Sequence, residues 1–107
     1  MWKDDNDNIE KLWNIFLARA DEFPSVCPIC QGKSAHIYLH RYRESKGTVW
    51  MWCSKCRNSS HGTISIPEWW VDDTFVELNK TASHPDYLET MKDKIDSYVN
   101  SILISLY

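Results

Sequence analysis

Glycine is scarce in this sequence, and long apolar runs are missing. Only three of the 107 residues are glycine, which excludes a glycine-rich phosphate-binding loop. No apolar run approaches the roughly 20 residues that a membrane-spanning helix needs. The first eight residues are polar and acidic, the opposite of a secretory signal peptide. We therefore expect a cytoplasmic protein without a membrane partner, in which cysteines stay reduced.

Residue arrangements typical of enzymes are also missing. The acidic residues fall at predicted helix caps and on exposed helix faces, and no serine has a recognisable base beside it. Hydrophobic residues make up 43% of the chain and include six tryptophans, which is enough for a modest core. We expect one domain over residues 1–107 that is not an enzyme.

What the sequence does have is four cysteines in two pairs. Cys27 and Cys30 enclose two residues, as do Cys53 and Cys56, and 22 residues separate the pairs. This spacing is typical of a closed tetrahedral zinc site with four thiolate ligands. The alternatives are disulfides, which lack a secretory context here, and a redox pair, which would leave two cysteines unused. We predict that the four cysteines bind one structural Zn²⁺.

The chain has to bend sharply after each cysteine pair. Gly32 and Asn58 lie two places past the second cysteine of their pair, and both residue types tolerate positive φ. We predict that they turn the backbone so that N–H groups point at sulfur.

Histidines are the other metal-binding side chains near these pairs. His61 lies five residues past Cys56 and would be a substitute ligand, although four sulfurs already complete the shell. His36 and His40 fall on one face of a predicted strand and would need a carboxylate nearby to hold a second metal.

Residues between the cysteine pairs predict a β-hairpin. Segments 35–43 and 48–52 alternate and are rich in β-branched and aromatic side chains, with a four-residue loop at 44–47. Such a loop sets Arg43 opposite Thr48. This register gives one face that packs in the core, made of Ile37, Leu39, Arg41, Trp50 and Trp52. The other face, with His36 and Tyr38, is predicted to stay partly open.

Helices are predicted on both sides of this hairpin. Asp7 or Asn8 would cap a first helix that Pro24 ends, and Pro85 opens a final helix whose apolar stripe continues to Leu106. Residues 63–66 would add a third strand. We therefore predict an α+β fold, a three-stranded antiparallel zinc ribbon (residues 26–66) between an N-terminal helix (1–25) and C-terminal helices (67–107).

Charge is distributed unevenly along the chain. Residues 26–66 contain one acidic and six basic residues, for a net charge of +5, whereas residues 1–25 carry −3 and residues 67–107 carry −5. Two binding functions follow as hypotheses. The basic hairpin could contact nucleic acid, although the acidic flanks would repel a polyanion. Alternatively, the acidic helices and spare aromatics could bind a cationic protein.

The segment after the third strand supplies candidate partner contacts. Adjacent tryptophans on a helical turn point about 100° apart, so we expect one to close the core and the other to face a partner. The predicted partner-binding residues are Glu68, Trp69, Trp70, Asp72 and Asp73. The long apolar stripe of the last helix is expected to pack against the first helix, with self-association as the open alternative.

Several of these motifs together resemble a known group of proteins. They are similar to motifs of small bacterial zinc-ribbon proteins of polymorphic and contact-dependent toxin loci. The set comprises Cys27, Cys30, the Ile37–Tyr38–His40–Arg41 run, the Trp50–Trp52–Cys53–Cys56 run, His61–Gly62 and Pro67–Trp69–Trp70. The resemblance covers about residues 27–70. It implies a cytosolic immunity protein that neutralises a cognate toxin, for which a basic nuclease would suit the charge distribution.

Overall fold

A mixed α+β architecture is observed in the computed structural model, which describes residues 2–4, 8–77, 80 and 85–106. The elements in chain order are β1 (Lys3–Asp4), α1 (Lys11–Ala18), β2 (Ser25–Val26), β3 (Lys33–Arg43), β4 (Lys46–Cys53), β5 (Asn58–Ser65), α2 (Asp86–Thr90) and α3 (Lys92–Ser105).

The strands form one sheet in the order β1-β5-β4-β3-β2. Strands β2 to β5 are antiparallel, as predicted, and β1 adds to β5 in parallel. The sheet therefore has five strands and not the predicted three. The two extra strands are two residues long each, too short to produce a recognisable alternation in the sequence.

The predicted register of the β3–β4 hairpin is wrong. Arg43 lies opposite Lys46 and His40 opposite Thr48, with a bulge between Arg41 and Arg43. The loop is thus two residues long, with Glu44 at a φ of 37°. A bulge adds one residue to a strand without disturbing its composition, so the alternation alone could not locate it.

The observed register gives both tryptophans cross-strand partners other than those predicted. Trp50 lies opposite Tyr38 and Trp52 opposite His36, so they share a face with the polar aromatics and not with Ile37. Of the residues predicted for the partly open face, His36 and Tyr38 are buried, whereas His40 is half-buried and Tyr42 is 53% exposed.

Helices cover both faces of the sheet. Residues Trp13 and Asn14 of α1 face Val49 and Met51 across a small cavity. On the opposite face, Asp96 of α3 contacts His36, and Glu89 of α2 accepts a hydrogen bond from Trp52. Buried apolar residues lie on each face, so the sheet is the middle of three layers.

Each predicted helix is shorter than the sequence pattern suggested. α1 ends at Arg19, whose φ is 52°, and not at Pro24. Its first turn follows Asn8, whereas Asp7 lies outside the described residues. The final helix is interrupted at Met91. Its second part, α3, packs mainly on β3 of the sheet, where packing against α1 was expected. Within the described ranges, no helix has both the length and the apolar character needed to cross a membrane.

Candidate metal centre

Two short turns bring the four cysteines together. The first cysteine turn (residues 27–30) follows β2, and the second (residues 53–56) follows β4. In each turn the N–H four residues past the first cysteine donates to that cysteine's carbonyl, from Gln31 to Cys27 and from Arg57 to Cys53, both at 3.0 Å. Because Ala35 pairs with Cys53 in the sheet, the two turns lie at the same end of the hairpin.

The four sulfurs lie close enough together to serve as ligands of one metal ion. All four ligand atoms lie within 4.8 Å of one another, and the Cys27–Cys56 and Cys30–Cys53 Sγ distances are both 3.7 Å. Four sulfurs at about 2.3 Å from one zinc ion would be about 3.8 Å apart. A disulfide would need about 2.05 Å, and all four cysteines are free.

Backbone and side-chain groups point at these sulfurs. The N–H of Ile29 lies 3.4 Å from Cys27 Sγ, and the N–H of Cys56 lies 3.5 Å from Cys53 Sγ. The Asn58 side-chain amide donates to Cys56 Sγ at 3.2 Å, and the Ser34 hydroxyl lies 3.1 Å from Cys53 Sγ. Such donors stabilise thiolates and orient metal ligands.

The predicted backbone bends lie one residue earlier than expected. Positive φ occurs at Gln31 (66°) and Arg57 (63°), and at neither Gly32 nor Asn58. Gly32 matters for space, since an added Cβ there would approach Lys55 Cδ to 2.9 Å. Asn58 matters for its side-chain amide. Both positions were predicted to matter, but for a positive φ that neither of them has. The sequence pattern gave no indication of Ser34.

Burial and hydrogen bonding together give Cys27, Cys53 and Cys56 different pKa values. Burial raises the pKa of Cys27 to about 12 and also raises the pKa of Cys53. Burial acts in the same direction on Cys56, but hydrogen bonds from Asn58 and the neighbouring thiols outweigh it and lower that pKa to about 7. Buried thiolates need a compensating cation, so the donor set fits a soft divalent metal.

The histidines do not complete or duplicate this site. In the described part of the chain, the four cysteines are the one group of three or more His, Cys, Asp or Glu side chains close enough to hold a metal. His36 instead contacts Asp96 and Ser54. The arrangement therefore offers four sulfur ligands to a single ion.

The predicted partner-binding residues are divided between core and surface. Trp70 is 1% exposed, and Trp69 is half-buried with its ring 5.3 Å from that of Phe16. The expectation that one tryptophan closes the core is thus confirmed. Asp72 accepts from the Trp70 indole at 3.0 Å, and Asp73 accepts from two backbone N–H groups of the following turn.

Only part of that segment is available to a partner. Glu68 is exposed, Trp69 is partly exposed, and Val71 is 62% exposed. Val71 could not be predicted as a contact residue, because the exposure of a single valine leaves no signal in the sequence pattern.

Several of the basic side chains in segment 26–66 are used within the fold. The Arg41 guanidinium donates to the carbonyls of Trp70 and Pro67, and Lys33 pairs with Asp21 at 2.8 Å. The six basic residues fall at opposite ends of the hairpin, which are roughly 23 Å apart over the length of β4 from Lys46 to Cys53. Arg41, Arg43 and Lys46 lie at the loop end, and Lys33, Lys55 and Arg57 lie at or next to the cysteine turns.

Comparison of the chain with protein-family models, with curated proteins and with solved structures found no match.

Proposed function

We propose that Cys27, Cys30, Cys53 and Cys56 bind one structural Zn²⁺. The 3.7 Å sulfur separations support this, and four thiolates leave no position for substrate or water. Elemental analysis of purified protein should give one zinc per chain. Iron in its place, or sulfurs oxidised to disulfides, would contradict the proposal.

We further propose that the chain is a cytosolic immunity protein, and not an enzyme, which neutralises a cognate bacterial toxin by binding it. The dispersal of the basic side chains favours a protein partner over a nucleic-acid partner. Arg41 is committed to two carbonyls and Lys33 to a carboxylate. A phosphate backbone needs a run of neighbouring cations, whereas a protein partner needs a few exposed anchors.

The exposed side chains of segment 68–71 are our candidate for that contact. They combine the Glu68 carboxylate, part of the Trp69 ring and the Val71 side chain. Aromatic anchors flanked by charge are typical of interface hot spots. An acidic residue beside the anchor suits a cationic toxin, which the acidic charge of the flanking segments also favours.

The test uses the protein encoded by the neighbouring reading frame as the partner. Titration calorimetry should give tight binding, and Val71→Asp should weaken it at least about tenfold. Ile104→Asp is the matched control, because Ile104 is equally exposed (68%) but lies on α3. Salt-sensitive binding to RNA or DNA without any protein partner would instead favour the nucleic-acid hypothesis.

A further inference from the structure

A chain of buried and half-buried polar side chains connects the second cysteine turn to both C-terminal helices. His36 Nδ1 lies 2.9 Å from both carboxylate oxygens of Asp96 on α3. His36 Nε2 lies 2.7 Å from the hydroxyl of Ser54, which stands between Cys53 and Cys56. Ser54 donates to Glu89 of α2 at 2.7 Å. We call Asp96, His36, Ser54 and Glu89 the relay.

The direction of the hydrogen bonds excludes an acyl-transfer role for the relay. Asp96, His36 and Ser54 have the connectivity of a Ser–His–Asp triad, in which serine donates to histidine. Here the single hydroxyl proton of Ser54 goes to the Glu89 carboxylate, which can only accept. His36 Nε2 is therefore the donor to Ser54, the reverse of what a nucleophilic serine requires, and a second proton lies between Nδ1 and the Asp96 carboxylate.

Each member of the relay is satisfied by the next. Glu89 also accepts from the Trp52 indole at 3.1 Å and from Lys92 at 3.2 Å. Although burial alone would raise it, hydrogen bonds from Ser54, Lys92 and Trp52 hold the pKa of Glu89 below its usual value. Removing one member would leave buried partners without hydrogen bonds, which is costly in a low-dielectric interior.

The relay has one end at the metal centre. The Ser54 N–H donates to the Ser34 carbonyl at 3.0 Å, and the Ser34 hydroxyl lies 3.1 Å from Cys53 Sγ. The position of the Ser54 hydroxyl thus depends on the conformation of the second cysteine turn, which a metal would fix. In that conformation the same hydroxyl contacts residues from β3 and α2.

We propose that metal occupancy at the four cysteines controls the docking of α2 and α3 on the sheet through Ser54. This rests on the metal centre proposed above, but it does not depend on the toxin. When the metal leaves, the second cysteine turn relaxes, Ser54 no longer bridges His36 and Glu89, and the helices loosen before the β3–β4 pairing does. By thermodynamic reciprocity, loosening the helices weakens metal binding.

The first experiment uses Ser54→Ala, which keeps the turn backbone and all four ligands. Cobalt substitution should give the same tetrahedral thiolate spectrum as wild type. Amide hydrogen exchange in α3 of the metal-loaded variant should be about tenfold faster than in wild type, with β4 amides unchanged. Unchanged α3 exchange in a metal-loaded variant would overturn the proposal.

A second variant tests the coupling from the helix side and decides the question if Ser54→Ala does not fold. Asp96→Asn should lower metal affinity about tenfold in competition with a chromophoric chelator. Tyr98→Phe is the matched control, because Tyr98 ties the same helix to the Val71 carbonyl outside the relay. Equal affinities in the two variants would refute the relay. Absence of any metal in wild type would refute the metal centre itself.

Discussion

The close approach of the β3 backbone to Gly47 gives the sharpest prediction for stability. Gly47 is buried beside the β3 bulge, opposite Arg41. A Cβ added there would lie 2.1 Å from the His40 carbonyl oxygen, 2.8 Å from Ile66 Cγ1 and 2.9 Å from Arg41 Cα. Two of these atoms belong to the backbone of β3, so relief requires the strand to move.

The expected cost of Gly47→Ala follows from those contacts. Overpacking a core usually costs about 1–3 kcal/mol, and a clash with backbone belongs at the upper end of that range. We expect a loss of about 3 kcal/mol, a large fraction of the roughly 5–15 kcal/mol that stabilises a typical domain.

Gly62→Ala is the matched control. Gly62 lies in β5 opposite Val49, and no heavy atom comes within 4 Å of an added Cβ. Restricting the unfolded chain should leave this variant unchanged or stabilise it by about 0.5 kcal/mol. Urea denaturation of metal-saturated protein, followed by tryptophan fluorescence, measures both. If the free energies of unfolding of the two variants agree within about 0.5 kcal/mol, the predicted clash at Gly47 is refuted.

Three further predictions follow from the metal centre and the polar contacts. Cys53→Ser should lose metal and cooperative folding, and a metal-free mutant with native circular dichroism would contradict this. Asp72→Ala should cost about 1–3 kcal/mol in urea denaturation, because the Arg41 N–H and Trp70 indole lose their acceptor; Asp72→Asn, which keeps an acceptor, should cost less. The depressed pKa of Glu89 means that its stabilisation is present above the ordinary value of 4.5 and lost as the pH falls below it. Glu89→Gln should therefore lose less stability than wild type as the pH falls from about 5 to about 3, and equal losses would argue against the Glu89 contacts.

The clustering of the four cysteines could be predicted from the sequence because its signal is local. Two residues between the cysteines of each pair are enough to place both sulfurs on one ion, whatever the surrounding fold. The hairpin that brings the pairs together is also local, since strands joined by a short loop pair with each other. The sulfur cluster confirms that part of the prediction.

Features that depend on a single irregular residue could not be predicted. The shorter loop shifts the β3–β4 pairing by two residues relative to the predicted register, and the bulge between Arg41 and Arg43 shifts it by one more. This odd total moves Trp50 and Trp52 to the other face. The αL residue Arg19 ends α1 without a glycine or proline to indicate it. The contact between His36 and Asp96 joins residues 60 positions apart, and neither residue type indicates its partner.

The register of the hairpin explains why this fold would need a metal despite having a core on both faces of its sheet. Sliding β4 along β3 by two residues would keep every side chain on its own face, so hydrophobic burial discriminates poorly against it. Such a slip moves Cys53 by about 6.6 Å, more than the 4.8 Å within which the four ligand atoms lie. A bound metal therefore penalises the slipped register directly, because it would lose at least one ligand. A metal bound by the four cysteines would thus contribute specificity as well as stability, because the apolar faces alone would leave several registers in competition.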